Sequence, residues 1–273
     1  MKRKILIPLT FSLLFAFHYH LWPQFTPEEI ARRPEIEQYL KTAKIIKAKD
    51  IGEGVTKPKR IFLESEEEEI SGCWKDIKGK QKGYLEGWKY EIAAYEMDKL
   101  LDLNMIPPTV QRNFEGKEGS FQFWMEGGMS DLDRMEDDIK IPESELLNWN
   151  KNKYKMRAFD CLIANEDRTQ QNIRYTDDWR MILIDHSRSF RSSKKFTENL
   201  VYGRNGILGA KLFRILPRAF VQKIKELNFE AINSAAGSYL TEKEIESVLK
   251  RKDLLLAEID EMIKEHGENK ILY

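Results

Sequence analysis

Residues 159–175 read FDCLIANEDRTQQNIRY, and residues 181–190 read MILIDHSRSF. In the first stretch Asp167 is followed five positions later by Asn172, and in the second Asp185 ends an apolar run. Carboxylate and amide oxygens are the ligands that Mg²⁺ prefers in proteins, and a further carboxylate can accept the proton of a hydroxyl group. These three residues therefore predict one polar site, unless Asp167 and Asn172 only form a turn and Asp185 only caps a strand.

The composition excludes several classes of protein. The chain has 273 residues, and its 45 Lys and Arg balance its 45 Asp and Glu. A net charge of zero argues against a generic nucleic-acid binder, which needs a basic surface. Only two cysteines are present, which excludes a disulfide scaffold or a Cys-rich metal site. We expect Cys73 and Cys161 to be separate buried residues, although export would allow them to pair.

The N-terminus differs in composition from the rest of the chain. Lys2, Arg3 and Lys4 precede an apolar run over residues 5–17. This order is typical of a secretory signal, and the run is short for a membrane-spanning helix. Residues 1–24 are therefore interpreted as a signal peptide or an N-terminal membrane anchor, with a buried helix as the alternative. The protein is expected to be exported or anchored, and to contact a membrane only through this segment.

Residues 25–126 are predicted to form a strand-rich lobe. Short apolar runs occur at 45–46, 61–63 and 70–74, and a hairpin is expected from Thr109 to Met125 with its turn at 115–119. Residues 86–103 have helical spacing of their apolar side chains. Gly127 and Gly128, which follow Glu126, indicate a flexible joint.

Residues 127–273 are predicted to be mostly helical. Helices are expected over residues 143–164, 215–229 and 241–265, with a hairpin over 172–185 and a loop over 186–210. The predicted fold class is α+β, with an antiparallel sheet plus one helix in the first lobe and helices in the second.

The first lobe supplies further charged and flexible residues. Lys75 ends the third predicted strand, and Glu91 lies sixteen positions later in the next helix. Gly52 and Gly54 lie between the first two strands, where a loop can close over phosphates. Each feature alone is typical of an ordinary protein surface. Their order along the chain, ahead of Asp167, favours a single site.

The stretches FDCLIANEDRTQQNIRY and MILIDHSRSF resemble the catalytic region of atypical kinases. That group includes the phosphatidylinositol 3/4-kinase-like enzymes, HipA-like bacterial kinases and secretory-pathway kinases related to the Golgi casein kinase. Like them, this chain has an Asp-Arg order in the loop, and EIAAYEMDKLLDLNMIPPTV resembles their Glu-bearing helix. The resemblance covers roughly residues 43–190 and implies a two-lobed protein-kinase-like fold.

The resemblance also implies roles for individual residues. Asp167 would be the catalytic base, Asn172 and Asp185 the metal ligands, and Lys75 with Glu91 the pair that orients the phosphates. Gly52 and Gly54 would lie over the phosphates. The backbone around four residues would face the adenine: Phe123, Trp124, Met125 and Glu126. The implied cofactors are ATP with Mg²⁺ or Mn²⁺.

The motifs depart from the family pattern in three places. Thr169 replaces the usual His, the Asp-Phe-Gly-like motif is Asp185-His186-Ser187, and the Gly-rich loop has only two glycines. These departures keep two alternatives open: a weak nucleotide-binding pseudokinase or nucleotidyl transferase with a regulatory role, and an exported interaction domain without nucleotide. His186 is expected to pack under the metal site. The acceptor is left open among protein, lipid, sugar and small molecule, and no nucleic-acid partner is expected.

Overall fold

A computed structural model describes residues 25–52, 57–65, 70–81, 83–210 and 214–273. The predicted signal or anchor over residues 1–24 lies outside these ranges. Within them, no helix is long and apolar enough to cross a membrane.

An antiparallel sheet of five strands dominates the N-terminal part. Its strand order is β1-β2-β3-β7-β6, and each neighbouring pair is antiparallel. The elements of this part are α1 (Pro27–Ala31), α2 (Arg33–Thr42), β1 (Ile45–Asp50), β2 (Lys59–Leu63), β3 (Ile70–Lys75), β4 (Lys78–Gln81), β5 (Tyr84–Gly87), α3 (Trp88–Leu100), β6 (Thr109–Phe114) and β7 (Lys117–Phe123). One face packs under α2 through the buried Leu40, Ile61 and Phe121.

Strands β4 and β5 form a separate hairpin between β3 and α3. The sequence predicted a helix from residue 86, whereas α3 begins at Trp88 because Gly87 is still extended and pairs with Lys78. The β6–β7 turn is also tighter than predicted, since β7 already begins at Lys117. The inserted hairpin places Glu86 beside the segment that follows Asp185.

The C-terminal part is mainly helical. A small sheet, in the order β10-β9-β8, lies beside these helices. The elements are β8 (Met129–Ser130), α4 (Asp131–Glu136), α5 (Glu143–Ile163), a 3₁₀ turn (Gln170–Asn172), β9 (Ile173–Tyr175), β10 (Met181–Leu183), α6 (Lys194–Glu198), α7 (Arg218–Glu226), α8 (Phe229–Ala236), α9 (Glu242–His266) and α10 (Glu268–Ile271).

The predicted fold class is confirmed: the structure is α+β, with an antiparallel sheet in the N-terminal part and helices in the C-terminal part. In the sheet part, α1 and α2 precede β1, and α3 follows β5. One detail of the prediction was wrong: residues 215–229 do not form one helix. They divide at Asn228, whose side chain accepts a hydrogen bond from Ala231 N–H (2.8 Å) and so starts α8. The lobe boundary at residues 126 and 127 stays a prediction.

Helix α3 connects the sheet to the C-terminal helices. It packs against β6 and β7 on one side and against α8 on another. The Tyr90 hydroxyl donates a hydrogen bond to Glu244 Oε1 at 2.6 Å, in the first turn of α9. Tyr95 is fully buried in the larger core cluster. These contacts fix the helix that carries Glu91.

Candidate active site

The loop that carries Asp167 begins at the end of α5. Ala164 ends the helix in a left-handed conformation (φ 49°), and the next residue, Asn165, is buried. The Asn165 amide donates to Asp160 Oδ1 (3.1 Å), while its oxygen accepts the N–H of Asp167 (3.1 Å). Asp160 is buried in the last turn of α5. The backbone of Asp167 is therefore fixed relative to a buried helix.

Arg168 points inward and uses every N–H of its guanidinium. Nε and Nη2 each lie 3.0 Å from a carboxylate oxygen of Asp160. Nη1 donates to the backbone oxygens of Asn172 (3.0 Å) and Ile184 (2.9 Å). Nη2 also contacts His186 Nε2 at 2.8 Å. With five donors engaged, this one side chain joins α5, the loop and the segment after β10.

The contact with Arg168 defines the protonation state of the His186 imidazole. An arginine can only donate, so Nε2 accepts and the imidazole is neutral, with its proton on Nδ1. Burial, together with the neighbouring Arg168 charge, lowers the pKa of His186 well below its usual value. The ring is fully buried, and its backbone N–H donates to Glu91 Oε2 at 2.8 Å. His186 thus acts as packing between Arg168 and Glu91.

Lys75 joins the two parts of the site. Its Nζ lies 2.6 Å from Glu91 Oε1 and 2.9 Å from Asp185 Oδ1. Burial alone would lower the pKa of Lys75, but the two carboxylates outweigh it and raise the pKa well above its ordinary value. The ammonium is therefore charged, and it is held between the helix of the first lobe and the loop of the second.

Asp185 has an unusual backbone. Its φ is 56°, a left-handed value that is uncommon for a residue other than glycine and is often found at functional sites. Burial would raise the pKa of the carboxyl, but Lys75 and the Ser187 hydroxyl, which donates at 3.1 Å, hold it well below the ordinary value. Asn172 is buried, and its amide donates to the backbone oxygen of Asp167 at 2.8 Å. That bond leaves the Asn172 Oδ1 as the atom that can coordinate a cation.

A cavity of about 580 Å³ lies between the sheet and the C-terminal part. Lys75, Asp167, Asn172 and Asp185 all line it, although they are far apart in the sequence. The same cavity is also lined by residues from the end of β7 onward and by apolar side chains from both parts of the chain: Ile51, Pro58, Phe123, Trp124, Met125, Leu132 and Ile182. The cavity wall thus combines charged and apolar side chains.

Solved structures share this arrangement of lobes. A structure of hydra Fam20 with sugar matches with a TM-score of 0.65 at 14% identity, covering 93% of this chain and 97% of that chain. A structure of the Golgi casein kinase with Mn/ADP bound matches with a TM-score of 0.62 at 14% identity, covering 89% of this chain and 79% of that chain. The chain has a kinase-like fold. The Helicobacter pylori proinflammatory kinase CtkA also matches, with a TM-score of 0.53 at 12% identity over 84% of this chain and 96% of that one.

Comparison of sequences alone identifies no relative. No family model matches the chain, and no curated protein matches it.

The predicted metal ligands fit a hard divalent cation. Asp185 offers a carboxylate and Asn172 a carbonyl oxygen, and both line the cavity. Among the residues that the structure describes, no group of three or more His, Cys, Asp or Glu could hold a metal ion by itself. Mg²⁺ commonly binds through one or two protein oxygens and completes its shell with phosphate oxygens and water. The donor set on this fold suits a cation that arrives with a nucleotide.

Most of the predicted site residues lie together. Lys75, Asp167, Asn172 and Asp185 line one cavity, and Glu91 is buried behind Lys75. Four residues predicted to face the adenine line the same cavity: Phe123, Trp124, Met125 and Glu126. Gly52 follows β1 with a φ of 77°, next to the cavity-lining Ile51. Gly54 lies outside the described residues. The roles of all these residues remain predictions.

Three charged residues of the site were not predicted. Asp160 anchors Arg168, while Glu86 and Arg188 form a pair beside Asp167. Asp160 falls in an ordinary helical pattern, and Glu86 falls in a hairpin that the sequence did not reveal. Arg188 is one of several basic residues in the predicted loop over 186–210, and such a loop is as typical of a solvated surface as of one that holds an acidic or phosphorylated substrate. The sequence signal that could have identified Arg188 is its position, three residues after Asp185.

Proposed function

We propose that this protein is an ATP-dependent phosphotransferase that uses Mg²⁺ or Mn²⁺ and phosphorylates a hydroxyl group outside the cytosol. The observation that carries the proposal is the position of Lys75 Nζ, within 2.9 Å of both Glu91 and Asp185, at the wall of a cavity that Asp167 and Asn172 also line. Phosphoryl transfer needs little covalent chemistry from a protein beyond positioning and charge stabilisation, and this set of residues provides both.

Each group of residues has its own role in the proposed reaction. The backbone from Phe123 to Glu126 binds the adenine, and Lys75, held by Glu91, contacts the phosphates. Asn172 and Asp185 hold the metal ion, which when bound neutralises phosphate charge. The Asp167 carboxylate accepts the acceptor's proton as the acceptor oxygen forms its bond to the γ-phosphorus. The bond from that phosphorus to the β–γ bridging oxygen breaks, and ADP leaves.

Two observations support action outside the cytosol. The N-terminal segment has the basic and apolar order of a secretory signal or anchor. One structure with the same fold is that of a Golgi casein kinase with Mn/ADP bound.

The acceptor classes to screen are protein, lipid, sugar and small-molecule hydroxyls. A sugar is included because another structure with this fold was solved with a sugar.

The first test measures nucleotide binding. The melting temperature of the full chain is measured with ATP plus Mg²⁺, ATP plus Mn²⁺, ATP plus EDTA, and metal alone. We expect stabilisation that needs both nucleotide and metal, because a ligand that binds only the folded state raises its stability. No stabilisation under any condition would contradict the proposal and favour an interaction domain without nucleotide.

The second test measures transfer. ATP labelled at the γ-phosphate and ATP labelled at the α-phosphate are incubated with acceptors of each class, for the wild type, Asp167→Asn and the exposed control Asp253→Asn. We expect γ-label on the acceptor from the wild type and the control, and its loss in Asp167→Asn. Transfer of α-label would indicate a nucleotidyl transferase, and binding without any transfer would indicate a pseudokinase.

A further inference from the structure

The Arg188 side chain lies between a buried carboxylate and Asp167. Its Nε and Nη2 lie 2.9 and 2.8 Å from Glu86 Oε1. Its Nη1 lies 3.2 Å from Asp167 Oδ1. The guanidinium also covers the ring of Tyr84, 4.5 Å from the ring centroid. Arg188 lines the cavity together with Asp167 and Asp185, so its guanidinium lies beside the carboxylate that is proposed to receive the acceptor's proton.

The partner of Arg188 is fixed. Glu86 is 2% exposed and belongs to β5, in the hairpin inserted between Lys75 and Glu91. Its second oxygen lies 3.4 Å from the Ser187 hydroxyl oxygen, whose proton is donated to Asp185, and the backbone N–H of Gly87 donates to Ser187 O at 3.0 Å. The hairpin therefore holds one edge of the guanidinium and leaves Nη1 directed at Asp167.

Cations that contact the transferred phosphoryl group stabilise the charge that develops during transfer. Lys75 is engaged by Glu91 and Asp185, on the side of the predicted metal ligands. Arg188 is the cation next to Asp167. Charge-assisted hydrogen bonds from a preorganised guanidinium to phosphate are strong and specific in geometry, and such donors stabilise a phosphoryl group in transfer. The present contact with Asp167 is one that a phosphate oxygen can replace.

We propose that Arg188 is a ligand of the γ-phosphoryl group of ATP. Without nucleotide, Nη1 pairs with Asp167. When ATP binds, Nη1 donates to a γ-phosphate oxygen instead, while Glu86 keeps hold of Nε and Nη2. The Asp167 carboxylate is thereby released to accept the acceptor's proton. The inference rests on the proposed function and adds to it a residue that distinguishes ATP from ADP.

The test compares two nucleotides that differ at the γ-phosphate. The affinities of ADP and of the β,γ-imido analogue of ATP, each with Mg²⁺, are measured by calorimetry for the wild type, Arg188→Gln, Arg188→Lys and Arg32→Gln. Arg32 is exposed, pairs with Glu35 and does not line the cavity. We expect Arg188→Gln to weaken binding of the imido analogue about 10- to 100-fold and to change ADP binding less than about threefold.

The other variants keep the result interpretable. Arg32→Gln should bind both nucleotides like the wild type. Arg188→Lys retains a charge but lacks the planar fork, so we expect an intermediate loss for the imido analogue alone. This variant and the circular dichroism spectrum of each protein together distinguish a specific loss of binding from misfolding of Arg188→Gln.

Two results would overturn the inference. An equal loss of both nucleotides would mean that Arg188 only supports the cavity. Unchanged binding of both, with transfer activity lost, would mean that it acts only through Asp167. If the wild type binds neither nucleotide, the proposed function itself fails, which is a different outcome.

Discussion

Asp160 and Arg168 form a buried two-point ion pair in which both N–O distances are 3.0 Å. The two side chains are at most 1% exposed. The pair joins the last turn of α5 to the residue that directly follows Asp167, so the position of the candidate base depends on a contact that no solvent reaches.

Replacing Asp160 with Asn should destabilise the protein strongly. The change leaves the Arg168 charge buried without its counter-charge, which typically costs about 3–5 kcal/mol. Urea unfolding of the full chain measures the loss. The matched control is Glu265→Gln, which breaks the exposed bidentate pair with Arg204. We expect little change from that control, and a similar effect of both substitutions would contradict the structural role of Asp160.

Replacing Lys75 with Arg should abolish most turnover while preserving the fold. The ammonium fits between Glu91 Oε1 and Asp185 Oδ1 within 2.9 Å of each. The larger planar guanidinium keeps the charge but cannot occupy the same point. We expect ATP turnover to fall about 100-fold or more. Lys44→Arg, at an exposed ion pair, is the control, and wild-type turnover in Lys75→Arg would remove Lys75 from its proposed role.

Replacing Gly128 with Ala should be more harmful than replacing Gly116. Both glycines have positive φ (70° and 75°), so either alanine costs about 1–2 kcal/mol in backbone strain. A Cβ at Gly128 would also overlap the backbone oxygen of Tyr175, whereas one at Gly116 meets open space. We expect a further loss of about 1–3 kcal/mol for Gly128→Ala. Thermal unfolding compares the two variants, and equal melting temperatures would be the contrary result.

Cys73 should react slowly with alkylating agents although it lines the cavity. Burial raises the pKa of the thiol to about 12, and only the thiolate is nucleophilic. At pH 8 the thiolate fraction is about a thousandfold below that of an ordinary cysteine with a pKa of about 8.5. Iodoacetamide labelling of Cys161→Ser, followed by mass spectrometry from pH 7 to 10, should rise about tenfold per pH unit. Fast labelling at pH 7 would contradict this, and urea-unfolded protein is the reference.

The sequence contained enough to predict the fold class. It also singled out, by order and spacing, four residues that line one cavity: Lys75, Asp167, Asn172 and Asp185. Their roles stay predictions. Order along the chain was informative because these residues lie at or near the boundaries of strands and helices, and such boundaries leave a clear hydrophobic pattern.

The parts that were not predicted depend on contacts between distant segments. The β4–β5 hairpin has weak alternation because its strands expose both Tyr84 and Leu85. Glu86 acquires its role only when Arg188, 102 positions later, lies against it. Asp160 likewise depends on Arg168 turning inward. Periodicity reports which face of an element is buried but not which charges are buried together.

All five guanidinium N–H groups of Arg168 are engaged, and this has a consequence for how the proposed kinase is regulated. Many kinases switch on when a phosphorylated side chain in the activation loop is captured by arginines. Here the loop arginine has no N–H to offer, because Asp160, two backbone oxygens and His186 take all five. A phosphate added to the 186–210 segment would find this position already filled. The loop that carries Asp167 is thus held in place by contacts with the buried interior of the protein, and these contacts need no phosphorylated side chain.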